Sequence, residues 1–242
     1  MINARHELIL IRARNDLNCL VTDPSFEYKL TLTKLQWKMP HVVLNDVNKL
    51  SLLRTLEGGR FLNMGFRSWD LYEYPLLQNT TKHMWAVKAS AQLEKLRYVI
   101  FALQHARRNI LTEDASVFDI CALTNCKLFL NSEFYPYDDM NLVTDKGRFS
   151  ILYDLFVNFR KAYYGNDIRE VALTPIDFIV KAPFAVIDSS RQNESVKSET
   201  VDIRIEFECK ENIQDNTTAY CLIIHDRLVE YNPLTNVIRK LI

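Results

Sequence analysis

Apolar and polar residues alternate with a period of two along several short stretches of this chain. The alternation is cleanest in Thr200–Lys210, where Val201, Ile203, Ile205 and Phe207 are set against Asp202, Arg204, Glu206 and Glu208. Successive side chains of a strand point to opposite faces, so this pattern predicts a half-buried strand. Tyr28–Trp37 (YKLTLTKLQW) predicts another, with Leu30 and Leu32 facing one way and Thr31 and Thr33 the other. His6–Arg12 (HELILIR) is a strand-like run that needs a partner from elsewhere, and the polar stretch RNDLN follows it. Met84–Ala89, Arg97–Leu103, Asp119–Leu130 and Ala182–Ser189 are further strand candidates, with Ser90–Lys95 joining the first two as a hairpin or a short crossover. Ala219–His225 is apolar on both faces, as a central strand or a subunit interface would be. Asp226-Arg227 then reads as a turn, with Leu228–Tyr231 pairing back until Asn232-Pro233 breaks the pattern.

Three segments carry the helical period instead. Asp46–Glu57 has Val47, Leu50, Leu53 and Leu56 at helical spacing, Asp46 as a cap and Gly58-Gly59 as a stop. Arg148–Tyr164 is the strongest helix, with a stripe of Phe149, Leu152, Tyr153, Phe156, Phe159 and Tyr163 and a natural stop at Gly165. Thr174-Pro175-Ile176-Asp177 combines a hydroxyl cap, a proline in the first turn and an acid at the third helical position, and Pro183 keeps that helix short. Asn131–Asn141 (NSEFYPYDDMN) reads as a turn-rich loop around Pro136.

About eight strands with two or three short helices in their connections is the count of a jelly roll. The expected fold is therefore all-β, an antiparallel β-sandwich of jelly-roll type, with another Greek-key sandwich as the alternative. Strands and helices do not alternate regularly, which disfavours a doubly wound parallel sheet.

Composition narrows the function more than the fold. The 242 residues carry 30 basic and 30 acidic side chains, so no global field favours a phosphate backbone, and no sequence-specific nucleic-acid partner is expected. Cys19, Cys121, Cys126, Cys209 and Cys221 are odd in number and form no CxxC, so they read as free thiols. No apolar run approaches the ~20 residues of a membrane helix, and no secretory leader pattern opens the sequence. The expected location is intracellular, and the sequons at Asn79, Asn193 and Asn216 are then idle.

Catalytic patterns are missing from the sequence. There is no P-loop, no G-x-S-x-G and no H-E-x-x-H. His6, His41, His83, His105 and His225 are too scattered for a paired-histidine metal site, so neither metal nor cofactor is expected. An enzyme would need His225, Asp226 and Asp188 in one pocket, but adjacent residues of a strand point to opposite faces. Asp188–Glu194 reads as a solvated polar loop, and Tyr135, Tyr137, Asp138 and Asp139 resemble a calcium or sugar loop in composition only. Arg67–Leu77 (RSWDLYEYPLL) interleaves Trp69, Tyr72 and Tyr74 with Asp70 and Glu73. Stacking on nucleic acid usually comes with a basic groove. Aromatics between charges suit a protein contact, where Tyr, Trp and Arg carry most of the energy.

The blocks RSWDLYEYPLL (67–77), MWAVKASAQLEKLRYVIFALQ (84–104), LFLNSEFYPYDDMNL (128–142), VIDSSRQNESVKSETVDIRIEFE (186–208) and TAYCLIIHDRLVEYNPLTN (218–236) occur in this order. In them the chain resembles the double-jelly-roll-like proteins found in many copies in arthropod and cnidarian genomes. Those in turn resemble major capsid proteins of Polinton-type (Maverick) elements and related double-stranded DNA viruses. The resemblance implies a structural, non-enzymatic protein, with two rolls side by side in each chain and three chains in a pseudo-hexagonal trimer. It implies that the partners are further copies of the chain, together with a penton or minor capsid protein. Only one roll is countable here, so residues 1–24 are expected to be the tail of a preceding roll and residues 25–242 the C-terminal roll. The interface candidates are Trp69, Tyr72, Tyr74, Tyr135, Tyr137, Tyr220, Leu222 and Ile224. The alternative is a host-retained roll that binds a glycan or a protein through Trp69, Tyr72, Tyr135 and Tyr137.

Overall fold

The computed structural model describes residues 7–89, 96–165, 173–190 and 201–240. Its first strand begins only at residue 62. Residues 7–45 contain turns and extended chain but no strand, and nearly all of their side chains are exposed. The strands expected at 6–12 and 28–37 are thus not formed over their described residues. Their alternation is real, but a strand needs a hydrogen-bonded neighbour, and here none is recorded. The segment is tied to the rest at a few points. Asn18 and Asn109 exchange hydrogen bonds, and the Thr22 N–H donates to the Leu111 carbonyl at 3.1 Å.

Helix α1 spans Asp46–Glu57, as its spacing predicts, but its cap is Asn45, whose side chain accepts from the Asn48 N–H at 2.9 Å. Asp46 sits inside the first turn instead. Gly58 closes the helix by donating to the Arg54 carbonyl, and Gly59 takes a positive φ of 75°. Only Leu56 is buried, and Val47, Leu50 and Leu53 leave their stripe open to solvent.

From there the chain builds two antiparallel sheets. One contains β1 (Leu62–Tyr74), β8 (Thr217–Asn232), β3 (Leu96–His105) and β6 (Ala185–Asp188) in that order, with β9 (Val237–Lys240) paired to β8. The other contains β2 (Lys82–Ala89), β7 (Asp202–Cys209), β4 (Leu123–Leu130) and β5 (Glu133–Tyr135). Strands that are far apart in sequence are neighbours in space, alternating between the two sheets, and this order is that of an eight-stranded jelly roll. β2 and β3 lie in different sheets, so of the two connections expected between them the crossover is the one this order needs. Residues 90–95 lie outside the described residues.

Each sheet buries one face against the other. Ile203, Ile205 and Phe207 of β7 point inward, as the alternation predicts, and meet Val99, Phe101 and Leu103 of β3. The rings of Phe101 and Phe207 are 4.8 Å apart across the sandwich, and Tyr74 meets Trp85 at 5.7 Å. Cys121, Cys126, Cys209 and Cys221 contribute to this core. Burial pushes the thiols of Cys121, Cys209 and Cys221 up to about 12 and that of Cys126 higher still, so they act as inert apolar groups.

β8 does not turn at Asp226-Arg227. It runs through them to Asn232, because β1 pairs with it residue by residue from Leu62 opposite Tyr231 to Tyr74 opposite Ala219. The reversal comes at residues 233–236, where the Asn232 side chain accepts from the N–H groups of Leu234 and Thr235. The short strand β5 likewise falls within the expected loop at 131–141.

Between β5 and β6 the chain forms α2 (Ser150–Tyr164) and α3 (Pro175–Lys181). Thr174 caps α3 as its motif predicts, its hydroxyl accepting from the Asp177 N–H at 3.1 Å and donating to the Asp177 carboxylate at 2.7 Å. Phe156 of α2 stacks on Phe178 of α3 at 4.9 Å. No helix among the described residues is long and apolar enough to cross a membrane, which says nothing of strands.

Candidate assembly surface

The outer face of the β1–β8–β3–β6 sheet is unusual in being apolar too. With a period of two, Tyr72 and Tyr74 of β1 face the core, and both pack against it. Arg67, Trp69, Leu71 and Glu73 therefore face outward, opposite Asp226, Ile224, Leu222 and Tyr220 of β8. The aromatic-acidic stretch at Arg67–Leu77 is thus split by its own pleat. Two of its aromatics build the core and one, Trp69, is 59% exposed.

α2 covers part of this outer face. Its Phe159 and Tyr163 pack on Tyr98, Val186 and Ile224, and Tyr98 meets Phe159 edge-on at 4.9 Å. The doubly apolar β8 is therefore a central strand sandwiched between the core and a helix. Arg67 fastens the end of that helix. It donates to the Tyr163 carbonyl at 2.9 Å, lies 4.8 Å from the Tyr163 ring and sits 3.4 Å from Asp226. A cation at a helix C-terminus is favourable, because the last carbonyls lack helical partners.

Beyond α2 the face opens into a groove of about 840 Å³. Its floor includes Leu71, Ile100 and Leu222, and Phe118 and Phe159 stand among its walls. Glu73 and Arg108 form an ion pair at the rim. Gln104 ties the 115–118 loop down, donating to the carbonyls of Ala115 and Val117 at 3.0 and 2.9 Å, and it accepts from the Tyr220 hydroxyl at 3.4 Å. Burial raises the Tyr220 phenol above its ordinary value, so it stays a neutral donor. Arg108 and Gln104 were not legible as site residues, because neither belongs to a motif. Only the sheet register brings them to Glu73 and Tyr220.

The eight interface candidates do not form one patch. Trp69, Tyr220, Leu222 and Ile224 share the outer face, though Ile224 is buried beneath α2. Tyr72 and Tyr74 lie under the same sheet, and Tyr135 packs on the core from β5. Tyr137 is 82% exposed and stacks on Phe134 at 5.8 Å. Trp69 and Tyr72 thus lie on opposite faces of one sheet, Tyr135 in the other sheet and Tyr137 in the loop after β5. In the neighbouring loop Asp139 is engaged by Lys127 at 2.7 Å and by Asn125 at 3.0 Å, which lowers its carboxyl below the usual range.

The enzyme-like residues also separate. His225 is fully buried on the inner side of β8, with its Nε2 3.1 Å from Asp70. Asp226 is on the opposite face beside Arg67, and Asp188 accepts from the Ser190 N–H at 2.8 Å in its own turn. The polar run from 191 to 194 lies outside the described residues.

Comparison with known proteins identifies a family. The family model of the double jelly roll-like domain matches residues 1–229. No curated protein matches. Seven chains of solved structures match, among them the major capsid protein of mavirus, at 8% identity and a TM-score of 0.42. That match covers 75% of this chain and 41% of the mavirus chain, so the chain spans less than half the length of that protein.

Proposed function

The chain belongs to the double jelly roll-like domain family, and on that footing we propose that it is a structural protein of the capsid type. Its work is to assemble with copies of itself into the shell of a viral or virus-derived element, three copies to a pseudo-hexagonal tile, with penton or minor capsid proteins as further partners. Its place is then the virion.

One observation carries this reading beyond the family match. A complete, closely packed roll is joined to a long segment whose apolar side chains have no cover. Ile11 is 91% exposed and Val43 93%, and the stripe of α1 is open as well. Exposed apolar side chains, where they gather into a patch, mark interaction sites in soluble proteins. In this reading residues 1–24 end a preceding roll, and the exposed chain from residue 7 onward offers surfaces that strands from outside this roll would complete. The near-equal charges of the chain leave close packing of copies unopposed by net repulsion.

Electron microscopy of the purified protein tests the proposal. Trimeric tiles or closed shells are expected, and a field of single rolls at every concentration rejects it. A host-retained binding module is the second reading, favoured by the groove beside α2. It predicts a ligand-dependent rise in melting temperature that Leu222→Arg abolishes.

A further inference from the structure

β1 is an edge strand. Over Leu62–Tyr74 it pairs with β8 along one side, and among the described residues no strand pairs with its other side. Such an edge is a template for another strand, and soluble proteins usually blunt it with proline, bulges or unpaired charge. This edge carries none of these. It contains no proline, its ladder to β8 has no register shift, and Trp69 and Leu71 stand outward with Phe66 on the other face, each more than half exposed. Its outward charges are already matched, Arg67 by Asp226 and Glu73 by Arg108.

The same chain holds a strand sequence without a sheet. Tyr28–Trp37 alternates, forms no helix or turn, and exposes Leu32, Leu35 and Trp37 by more than half. Residues 27–44 exchange no backbone–backbone hydrogen bond with other described residues. Only Leu30 is held, its carbonyl by Arg12 at 2.8 Å and its N–H by Asp16 at 3.4 Å. The segment is basic, with Lys29, Lys34 and Lys38 and no carboxylate between Tyr28 and Lys38.

We propose that Tyr28–Trp37 of one copy adds as a strand to the free edge of β1 in a second copy. Main-chain hydrogen bonds supply the affinity, and alternate side chains pack beside Trp69 and Leu71 on the outward face. The inference rests on the assembly reading above and names its contact. Donor and acceptor are different surfaces, so the contact is head-to-tail and closes only as a ring.

Native mass spectrometry of the full chain tests it with two variants. Thr31→Pro with Thr33→Pro disables the donor, which lies outside the roll, by removing ladder N–H groups. Trp69→Lys with Leu71→Lys disables the acceptor at exposed positions. Each variant alone is expected to self-associate at least tenfold more weakly than the unaltered chain. Mixed one to one, they recover association as heterodimers and stop there, because each supplies the surface that the other lacks. No recovery on mixing overturns the inference, as docking within one copy would give that result. Undiminished association of both variants also overturns it and leaves the assembly reading standing. An unaltered chain that is monomeric at every concentration overturns both. Should the acceptor variant fail to fold, hydrogen exchange on the unaltered chain decides. Amides of β1 and of residues 31–37 must gain protection together as concentration rises, and protection independent of concentration refutes the contact.

Discussion

Cutting Phe207 back to alanine removes the ring that joins the two sheets. Phe207 is 1% exposed, and its ring lies 4.8 Å from Phe101 of the facing sheet and 4.7 Å from His83 of the adjacent strand. Truncating a buried phenylalanine costs about 3–5 kcal/mol, the cavity included. Ring pairs contribute roughly 0.5–1.5 kcal/mol beyond area, which places this site, with two partners, towards the upper end. A domain is stable by only about 5–15 kcal/mol in total. At about 2–4 °C per kcal/mol for a chain of this size, melting falls by about 6–20 °C. Circular dichroism at low protein concentration reads the shift, and Phe66→Ala is the control. Phe66 is half exposed on the edge strand, so its loss should stay within about 0.5 kcal/mol. A Phe207→Ala shift no larger than that of Phe66→Ala refutes the two-sheet core.

Further outcomes follow from individual contacts. Arg67→Ala releases the last turn of α2 from β1, and hydrogen exchange should show residues 159–164 losing protection while the β7 amides keep theirs. Alkylation of the native protein at neutral pH should label exposed Cys19 first, and Cys126, Cys209 and Cys221 only on unfolding. Labelling of Cys126 at the rate of Cys19 contradicts the burial described. Asp139 and Asp145 have carboxyls lowered by Lys127 and Lys210, the lysine hydrogen bond being the largest cause in each. A lowered folded-state value gives stability that is present above the ordinary carboxylate range and lost as pH falls through the lowered one. Urea midpoints should therefore fall on acidification below about pH 4, the ordinary carboxylate range, with a smaller fall in Asp139→Asn.

Much of the roll was legible in the sequence. β7 alternates without exception, and Thr174, Pro175 and Asp177 cap α3 by local chemistry alone. Legibility failed where a partner distant in sequence decides the outcome. Asp226-Arg227 has the composition of a turn, but Arg67, far away in sequence, sits beside Asp226 and β8 continues. Tyr28–Trp37 has the pattern of a strand, and no strand among the described residues takes it up. The interface candidates failed for a simpler reason. Trp69 and Tyr72 are close in sequence but differ by an odd number of residues, so the pleat sends one outward and the other into the core. The groove residues Arg108 and Gln104 carry no pattern at all, and sheet register alone assembles them.

The central claim is assembly, and the solution mass of the purified chain tests it most directly. Light scattering over a wide concentration range should show species of three or more copies of the 28.4 kDa chain. A folded chain that keeps the mass of one copy up to its solubility limit contradicts the account.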